Sequence, residues 1–355
     1  MLDDNVNKFG MTNWAPLKRH IKQSLGYLTL RTPLRKFVMP YEGALIFTGH
    51  RVLPLSQLQG YYDPGTVIAA EFWPKWLDVM QDLFEFISLD ELQNLLNKRS
   101  VSESNELNHK KRLAIMTFDD GWWDTFEYTW PPLKARNIPL TLFLPTVLIN
   151  TRRLFWWQSI FDLANYDDMH AQQWITQWLS SQGVGIADLT QLNQLSWQMR
   201  IIQLPIYLSP EQLITLADAI AVQLPSQQHT LSWQQVEALS KEGVIMGSHG
   251  LDHKSLPVLT AKQMISQLSE SLVTIKQHVN FVSRYFCYPY GHVCQELPPI
   301  LNKCGYQGAV TTNPGWVYQA TDPYFLPRIN LHYNMVVRPE LLGYRLLKLT
   351  LNHCA

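Results

Sequence analysis

RLAIMTFDDG, Arg112 to Gly121, decides how this chain is read. Its first seven residues form a short apolar run, the length and composition of a strand buried on both faces. The run stops at two adjacent carboxylates and a glycine, residues that open turns. Polar chemistry therefore stands at the C-terminal end of a buried strand.

The same grammar recurs on both sides. Upstream, GALIFTGH (Gly43 to His50) is an apolar strand ending in a histidine, and helical periodicity runs from Phe72 to Asn97. Downstream, a helical stretch to about Asn137 precedes the strand PLTLFLPT, Pro139 to Thr146. Ser232 with Gln235 makes a capping box, Gly243 closes that helix, and VIMGSH is a strand with its loop. Thr260 with Gln263 opens a longer helix towards Val279, followed by RYFCYPYG, again strand then turn. A helix from Leu297 to Cys304 ends at Gly305, and YQGAVTT (Tyr306 to Thr312) and FLPRINL (Phe325 to Leu331) are the last strands. Strands alternating with helices imply an α/β fold with a parallel sheet. The polar motifs fall at strand C-termini, where barrel sites lie, so a distorted (β/α) barrel of fewer than eight strands fits better than an open sheet.

Between about Thr151 and His229 the pattern breaks. FWWQSIFDLANY, QQWITQWLSSQ and EQLITLADAIAVQL are helical with no strands between them. We read residues 151–229 as a helical insertion capping the site, residues 38–150 and 230–335 as the barrel, and 336–355 as a C-terminal helix. Residues 1–37 form a basic amphipathic segment: Asn5 to Tyr41 contain no acidic residue, while Lys8, Lys18, Arg19, Lys22, Arg31, Arg35 and Lys36 are basic. Such a segment suits either an anionic membrane surface or an apolar side packed on the catalytic domain.

Composition narrows the classes. The 355 residues are 46% apolar and 16% charged, a globular balance. Lysine plus arginine equals aspartate plus glutamate at 29 each, so no overall field favours nucleic acid as partner. Cys287, Cys294, Cys304 and Cys354 lack CxxC spacing and read as reduced thiols. With neither a signal-peptide pattern nor an apolar run of membrane-spanning length, the expected location is cytoplasmic, with the inner membrane face as an extension of that reading.

The chemistry concentrates in TFDDG (Thr117 to Gly121) and SHGLDH (Ser248 to His253). A divalent ion used for hydrolysis needs about three protein ligands and an open position for water. Two histidines four apart can meet one ion from a single loop, and a carboxylate from another strand end completes the set. Adjacent carboxylates can divide the labour, one on the metal and one as base. Each motif alone is common; together, each after an apolar strand, they form a specific constellation.

These motifs resemble those of the polysaccharide deacetylases of the NodB-homology type, carbohydrate esterase family 4. TFDDG is similar to the first motif and SHGLDH to the second, with Ser248 ahead of the first histidine and Gly250 in the usual Ser/Thr position. FCYPYG (Phe286 to Gly291) resembles the third. The resemblance implies Asp119 as general base, Asp120, His249 and His253 as metal ligands, and the backbone N–H of Tyr290 in the oxyanion hole. Two departures stand out. Cys287 replaces the arginine that orients the base, and no strand-plus-histidine fifth motif follows Asp322. GALIFTGH resembles that missing motif. First and last strands are neighbours in a barrel, so a circularly permuted order makes His50 the general acid, with His332 its rival. Arg328, in LPRIN, could stand in for the missing arginine. Trp122, Trp123, Trp156 and Trp157 follow motif loops and suit either a sugar subsite or the seam beneath the insertion.

The implied activity is metal-dependent removal of N-acetyl groups from an amino-sugar glycan or precursor. Zn2+ suits the mixed His/Asp set, with Co2+ or Ni2+ as substitutes. A cytoplasmic enzyme would meet lipid-linked or nucleotide-linked sugars. The competing reading is a catalytically silent carbohydrate-binding or assembly protein on the same fold.

Overall fold

The computed structural model describes residues 15–40, 42–94, 111–151, 155–225 and 229–353. Its strands are β1 (Ala44–Gly49), β2 (Arg51–Leu53), β3 (Val67–Ala69), β4 (Phe84–Ile87), β5 (Arg112–Phe118), β6 (Leu140–Leu144), β7 (Ile245–Ser248), β8 (Val282–Cys287), β9 (Gly308–Val310) and β10 (Ile329–Asn330). The chain forms two compact units, residues 1–40 with 338–355, and residues 41–337.

In the larger unit every residue of β1 and β5 is buried. Both faces of these strands are covered, which is why their sequences are continuously apolar rather than alternating. All eight strands of the main sheet are parallel, in the order β10-β1-β5-β6-β7-β8-β9, with β4 also on β5. One edge of β5 is shared: Arg112 to Ile115 pair with β4, and Met116 to Phe118 pair with β6. Val310 also bridges Leu326 in parallel, just before β10, so the curled sheet returns to β1 through the segment Leu326 to Asn330. This is the α/β barrel expected from the alternation of elements, with eight strands in its sheet rather than fewer because β4 adds to the edge of β5, and the first and last strands are neighbours in it. β2 and β3 form a separate parallel pair.

One helical expectation is corrected. The periodicity starting at Phe72 ends early: the helix Trp73–Leu83 buries Trp73, Trp76, Leu77 and Met80, and the chain then enters β4. After β4 the chain is helical again over residues 89–94, and residues 95–97 of the expected helix lie outside the described residues. FEFI is drawn into the sheet because β5 offers it an open edge, a tertiary pairing that overrides local propensity. After β5, a π-helical turn at Thr125–Thr129 leads into the helix Trp130–Lys134. Pro131 and Pro132 have no N–H to donate back to Glu127 and Tyr128, which explains the irregular turn there.

Residues 155–225 hold five helices, Trp156–Tyr166, Asp168–Ser181, Ile186–Asn193, Trp197–Tyr207 and Pro210–Ala221, two more than the helical stretches marked in the sequence. They share an apolar core including Phe161, Leu163, Ile175, Leu179 and Leu216. Side-chain caps set their starts: Asp167 accepts from His170 N–H, Ser196 from Met199 N–H and Ser209 from Gln212 N–H.

In the smaller unit the helix Ala15–Arg31 packs on the helix Glu340–His353. They meet at Gly26 and Gly343, where an added Cβ at either position would strike backbone of the facing helix. Ile21, Leu25 and Leu28 of the first helix are exposed. Lys8 and the start of the basic segment lie outside the described residues. Among the described residues no helix is long and apolar enough to cross a membrane.

Candidate active site

Four strand ends build one cluster. β5 delivers Asp119 and Asp120, β7 leads to His249 and His253, β1 ends beside His50, and Arg328 precedes β10. Asp120 lies in the left-handed region at φ 75°, followed by Gly121 at 65°. This reversal lets consecutive carboxylates both face the mouth, which an extended strand would forbid. Gly121 is required for space as well, since a Cβ there would press on Ile149 and Leu144. His253 (φ 60°) and Tyr290 (φ 59°) are also left-handed, so three non-glycine residues of the cluster sit in sparsely populated backbone conformations.

Asp120, His249 and His253 converge. Asp120 Oδ1 lies 3.6 Å from His249 Nε2 and 3.4 Å from His253 Nε2, and all three residues are buried. Oδ1 accepts no hydrogen bond, whereas Oδ2 accepts one from Trp122 Nε1 at 3.1 Å. His249 Nδ1 lies 2.7 Å from the Cys287 carbonyl oxygen, which can only accept. Nδ1 therefore carries the proton, and the Nε2 lone pair faces Asp120. Burial pushes the Asp120 carboxyl up and the two imidazoles down, holding the histidines neutral.

These residues fit a divalent cation. Ligands about 2.0–2.2 Å from a tetrahedral ion stand roughly 3.4 Å apart, close to the two distances found. An unsolvated carboxylate oxygen facing two neutral imidazole nitrogens lacks only positive charge. Asp119, His249 and Cys287 also approach one another closely enough to form a second candidate set. That set is the poorer one, because Asp119 is already neutralised and burial keeps the Cys287 thiol protonated.

Asp119 is gripped by Arg328, Nη1 to Oδ1 at 2.9 Å and Nη2 to Oδ2 at 2.7 Å. The guanidinium is itself fixed: Nε donates to the Thr311 carbonyl at 2.8 Å, Nη1 to Thr117 Oγ1 at 3.2 Å, and Nη2 contacts Cys287 Sγ at 3.2 Å. Burial alone would raise the Asp119 pKa, but the bidentate Arg328 overcomes it and holds the carboxyl well below the usual range. Arg328, offered by the sequence as a stand-in for the missing arginine, thus lies against both Asp119 and the sulfur of Cys287. His50 Nε2 stands 3.9 Å from Asp119 Oδ2, on the cavity wall. His332 does not line that cavity.

Tyr290 follows β8 in a turn closed by Gly291 N–H on the Tyr288 carbonyl, and its ring meets His253 edge-on at 4.6 Å. Trp156 Nε1 donates to its hydroxyl at 3.3 Å. The cavity over the cluster, about 380 Å³, is walled on one side by the strand-end residues and on the other by Trp156, Trp157, Phe161 and Ile202 of the insertion. Trp122, Trp156 and Trp157 line it, but Trp123 packs instead with Leu53, Leu58, Val67 and Ala69. Trp122 is 2% exposed, donates to Asp120, packs on Phe155 and lies under Arg51 at 4.4 Å.

Several supports were not singled out from sequence. Ser248 Oγ accepts from Gly250 N–H at 3.2 Å and bonds Ser271 Oγ at 2.6 Å, so the displaced serine still braces the histidine loop. Buried Asp124 accepts from Arg51 Nε and Val52 N–H, both at 2.9 Å, tying β2 to the loop after β5. The available signal was proximity: Asp124 lies four residues after Asp120, and Arg51 follows His50.

A curled parallel α/β barrel with an Asp–Asp–His–His cluster at its strand C-termini defines the class of protein. The polysaccharide deacetylase family model matches residues 106–309, more than half of the chain, and the chain belongs to that family. Over 107 residues it is 29% identical to YxkH of Bacillus subtilis (strain 168), a protein named for polysaccharide deacetylase; the match spans 30% of this chain and 38% of that one. Among solved structures, the Streptococcus pyogenes deacetylase PplD in complex with acetate aligns with TM-score 0.54 at 17% identity, over 87% of this chain and 98% of that one. IcaB from Ammonifex degensii aligns with TM-score 0.51 at 15% identity, over 85% and 97%. The polysaccharide deacetylase BC0361 from Bacillus cereus gives 0.52 at 12% identity, over 85% and 69%. At these identities the structural likeness speaks for the fold.

Proposed function

We propose that the protein hydrolyses N-acetyl groups of an amino-sugar glycan or glycan precursor, releasing acetate, with a divalent cation held by Asp120, His249 and His253. The observation that carries this reading is the unsolvated Asp120 Oδ1 facing two imidazole nitrogens at 3.6 and 3.4 Å. Zn2+ suits such a donor set, with Co2+ or Ni2+ as substitutes. When bound, the ion polarises the acetamide carbonyl and makes water acidic enough to attack near neutral pH.

The chain's own groups carry the remaining steps. Asp119, kept ionised by Arg328, takes the proton of the attacking water on a carboxylate oxygen. Its depressed pKa makes it a weak base, a deficit offset by the acidity of the water it serves. The Tyr290 backbone N–H donates to the oxygen that gains negative charge. His50 gives a proton to the departing amine, without which the C–N bond would not break readily. The family membership and the intact cluster favour this over a silent binding protein.

The test is acetate release from N-acetylated sugars and glycan intermediates by metal-loaded protein, with and without chelator. Asp119→Asn should lower turnover at least about 10²-fold while bound metal stays stoichiometric. Activity that survives exhaustive chelation, or an Asp119→Asn variant that turns over normally, would refute the assignment.

A further inference from the structure

A second cavity of about 320 Å³ lies against the first. Trp156, Trp157, Pro205, His253 and Tyr290 wall both, so the two meet across the candidate ligand His253. Leu148, Phe155, Pro210, Leu213, Ile214, Ala217 and Val258 make most of the remaining wall apolar, with Asp218, Asp252, Lys254, Ser255 and His292 also lining it. Several of its polar residues are already satisfied: Asp252 accepts from Gln267 Nε2 at 2.8 Å and pairs with Lys254 at 2.9 Å, and Ser255 Oγ bonds His292 Nδ1 at 2.9 Å. A further sugar unit would bring hydroxyls into a space that leaves them few partners, at a cost for each one unmet. An alkyl or prenyl chain has no such requirement. Val258, 65% exposed, marks where a chain would leave towards solvent.

We propose that the substrate is an amphiphile, an N-acetyl sugar joined to an apolar chain, with the sugar in the first cavity and the chain in the second. This rests on the deacetylase reading above and specifies its substrate class. N-acetylglucosamine, its octyl and dodecyl glycosides, an N-acetylglucosamine tetrasaccharide and a uridine-diphosphate-linked N-acetylglucosamine form the probe set. Binding is read below the micelle concentration from the emission of Trp156 and Trp157, and acetate release is followed in parallel. Affinity should rise with chain length, about two- to fourfold per methylene until the cavity is filled, and KM should fall in step. In Val258→Asp, at the exposed rim, and Ala217→Phe, which fills the cavity, the octyl-to-free-sugar affinity ratio should drop towards one while both variants keep the unfolding midpoint of the parent. Equal binding of free and alkylated sugar overturns the proposal, as does tighter binding of the tetrasaccharide or nucleotide sugar. Chain-length-dependent binding without acetate from any probe leaves the apolar site standing and removes the hydrolytic reading instead.

The smaller unit presents a different surface. Ile21, Leu25 and Leu28 recur at helical spacing on the face away from Gly26 and Leu30, which are buried, and Leu34 and Phe37 continue the exposed apolar surface. Lys22, Arg31, Arg35 and Lys36 are exposed around them, and Glu340 is the single acidic residue within 15–40 and 338–353. From this pairing of apolar and cationic side chains we infer that the face docks on an anionic lipid surface. Full-length protein should sediment with phosphatidylglycerol-containing vesicles and not with pure phosphatidylcholine, and salt should release it. Phe37→Glu, at a position 77% exposed, and Leu25→Glu should each lower the bound fraction at least about fivefold with the fold intact by circular dichroism. Equal partitioning to both vesicle types overturns the inference. So does a concentration-dependent dimer lost in Leu25→Glu, which would assign the face to a second copy.

Discussion

At the scale of single residues, Asp119 and Arg328 stand 209 residues apart along the larger unit. The sequence offered Arg328 as a stand-in for the missing arginine beside Asp119; its guanidinium meets that carboxylate through two hydrogen bonds because β10 returns to β1. Lysine cannot reproduce a planar two-point grip. Arg328→Lys should therefore lower kcat about 10- to 100-fold with KM and metal content little changed, as expected for a positioning residue. Steady-state kinetics with metal analysis checks this, and equal kcat would sink the positioning role. His229 gives a stability signal separate from the metal ligands. Burial holds its pKa down to about 4, against an ordinary value of 6.5. Between those values the unfolded chain binds a proton that the folded chain refuses, so folding stability falls as pH drops through that window. Urea midpoints at pH 7 and pH 5 should differ less in His229→Asn than in the parent, and identical slopes would contradict the assignment.

At the scale of elements, helix starts were the most legible features. Thr260 and Gln263 make the reciprocal cap on the helix Ala261–His278 that their spacing announces, as do Ser232 and Gln235 on Trp233–Lys241. Such caps are local hydrogen bonds between residues three apart, so their partners are written beside them. Thr260→Ala should cost about 1 kcal/mol in a urea melt, without affecting metal binding. β4 shows the opposite case: FEFI continues a helical pattern, and only the unclaimed edge of β5 turns it into a strand. Close packing at Gly26 and Gly343 was equally silent, since a glycine in a helix does not name its facing backbone. Gly26→Val should separate the paired helices of the smaller unit, seen as a loss of helical ellipticity and early proteolysis there.

For the molecule as a whole, binding of a cation at the candidate site would be coupled to folding. Ligands supplied by β5 and by the loop after β7 come together only in the folded chain, so a cation that binds the native state raises its stability by mass action. Zn2+ at about 100 times its dissociation constant should add about 2.7 kcal/mol, read as a rise in thermal midpoint. Asp120→Asn should abolish that rise without any assay of turnover. A midpoint indifferent to Zn2+ in the parent would remove the metal from the proposal.

By itself the sequence determined the parallel strand–helix alternation, the strand ends that carry Asp119, Asp120, His249 and His253, and the helical character of residues 155–225. These follow from periodicity, capping and turn residues, which act over a few positions. Tertiary structure alone decided that Arg328 pins Asp119, that His50 comes within 3.9 Å of it, and that the insertion divides the space above the site into two cavities. Those relations join residues far apart along the chain, and contacts at such separation are fixed by how the sheet curls and what packs over its mouth. No local pattern of side chains encodes that.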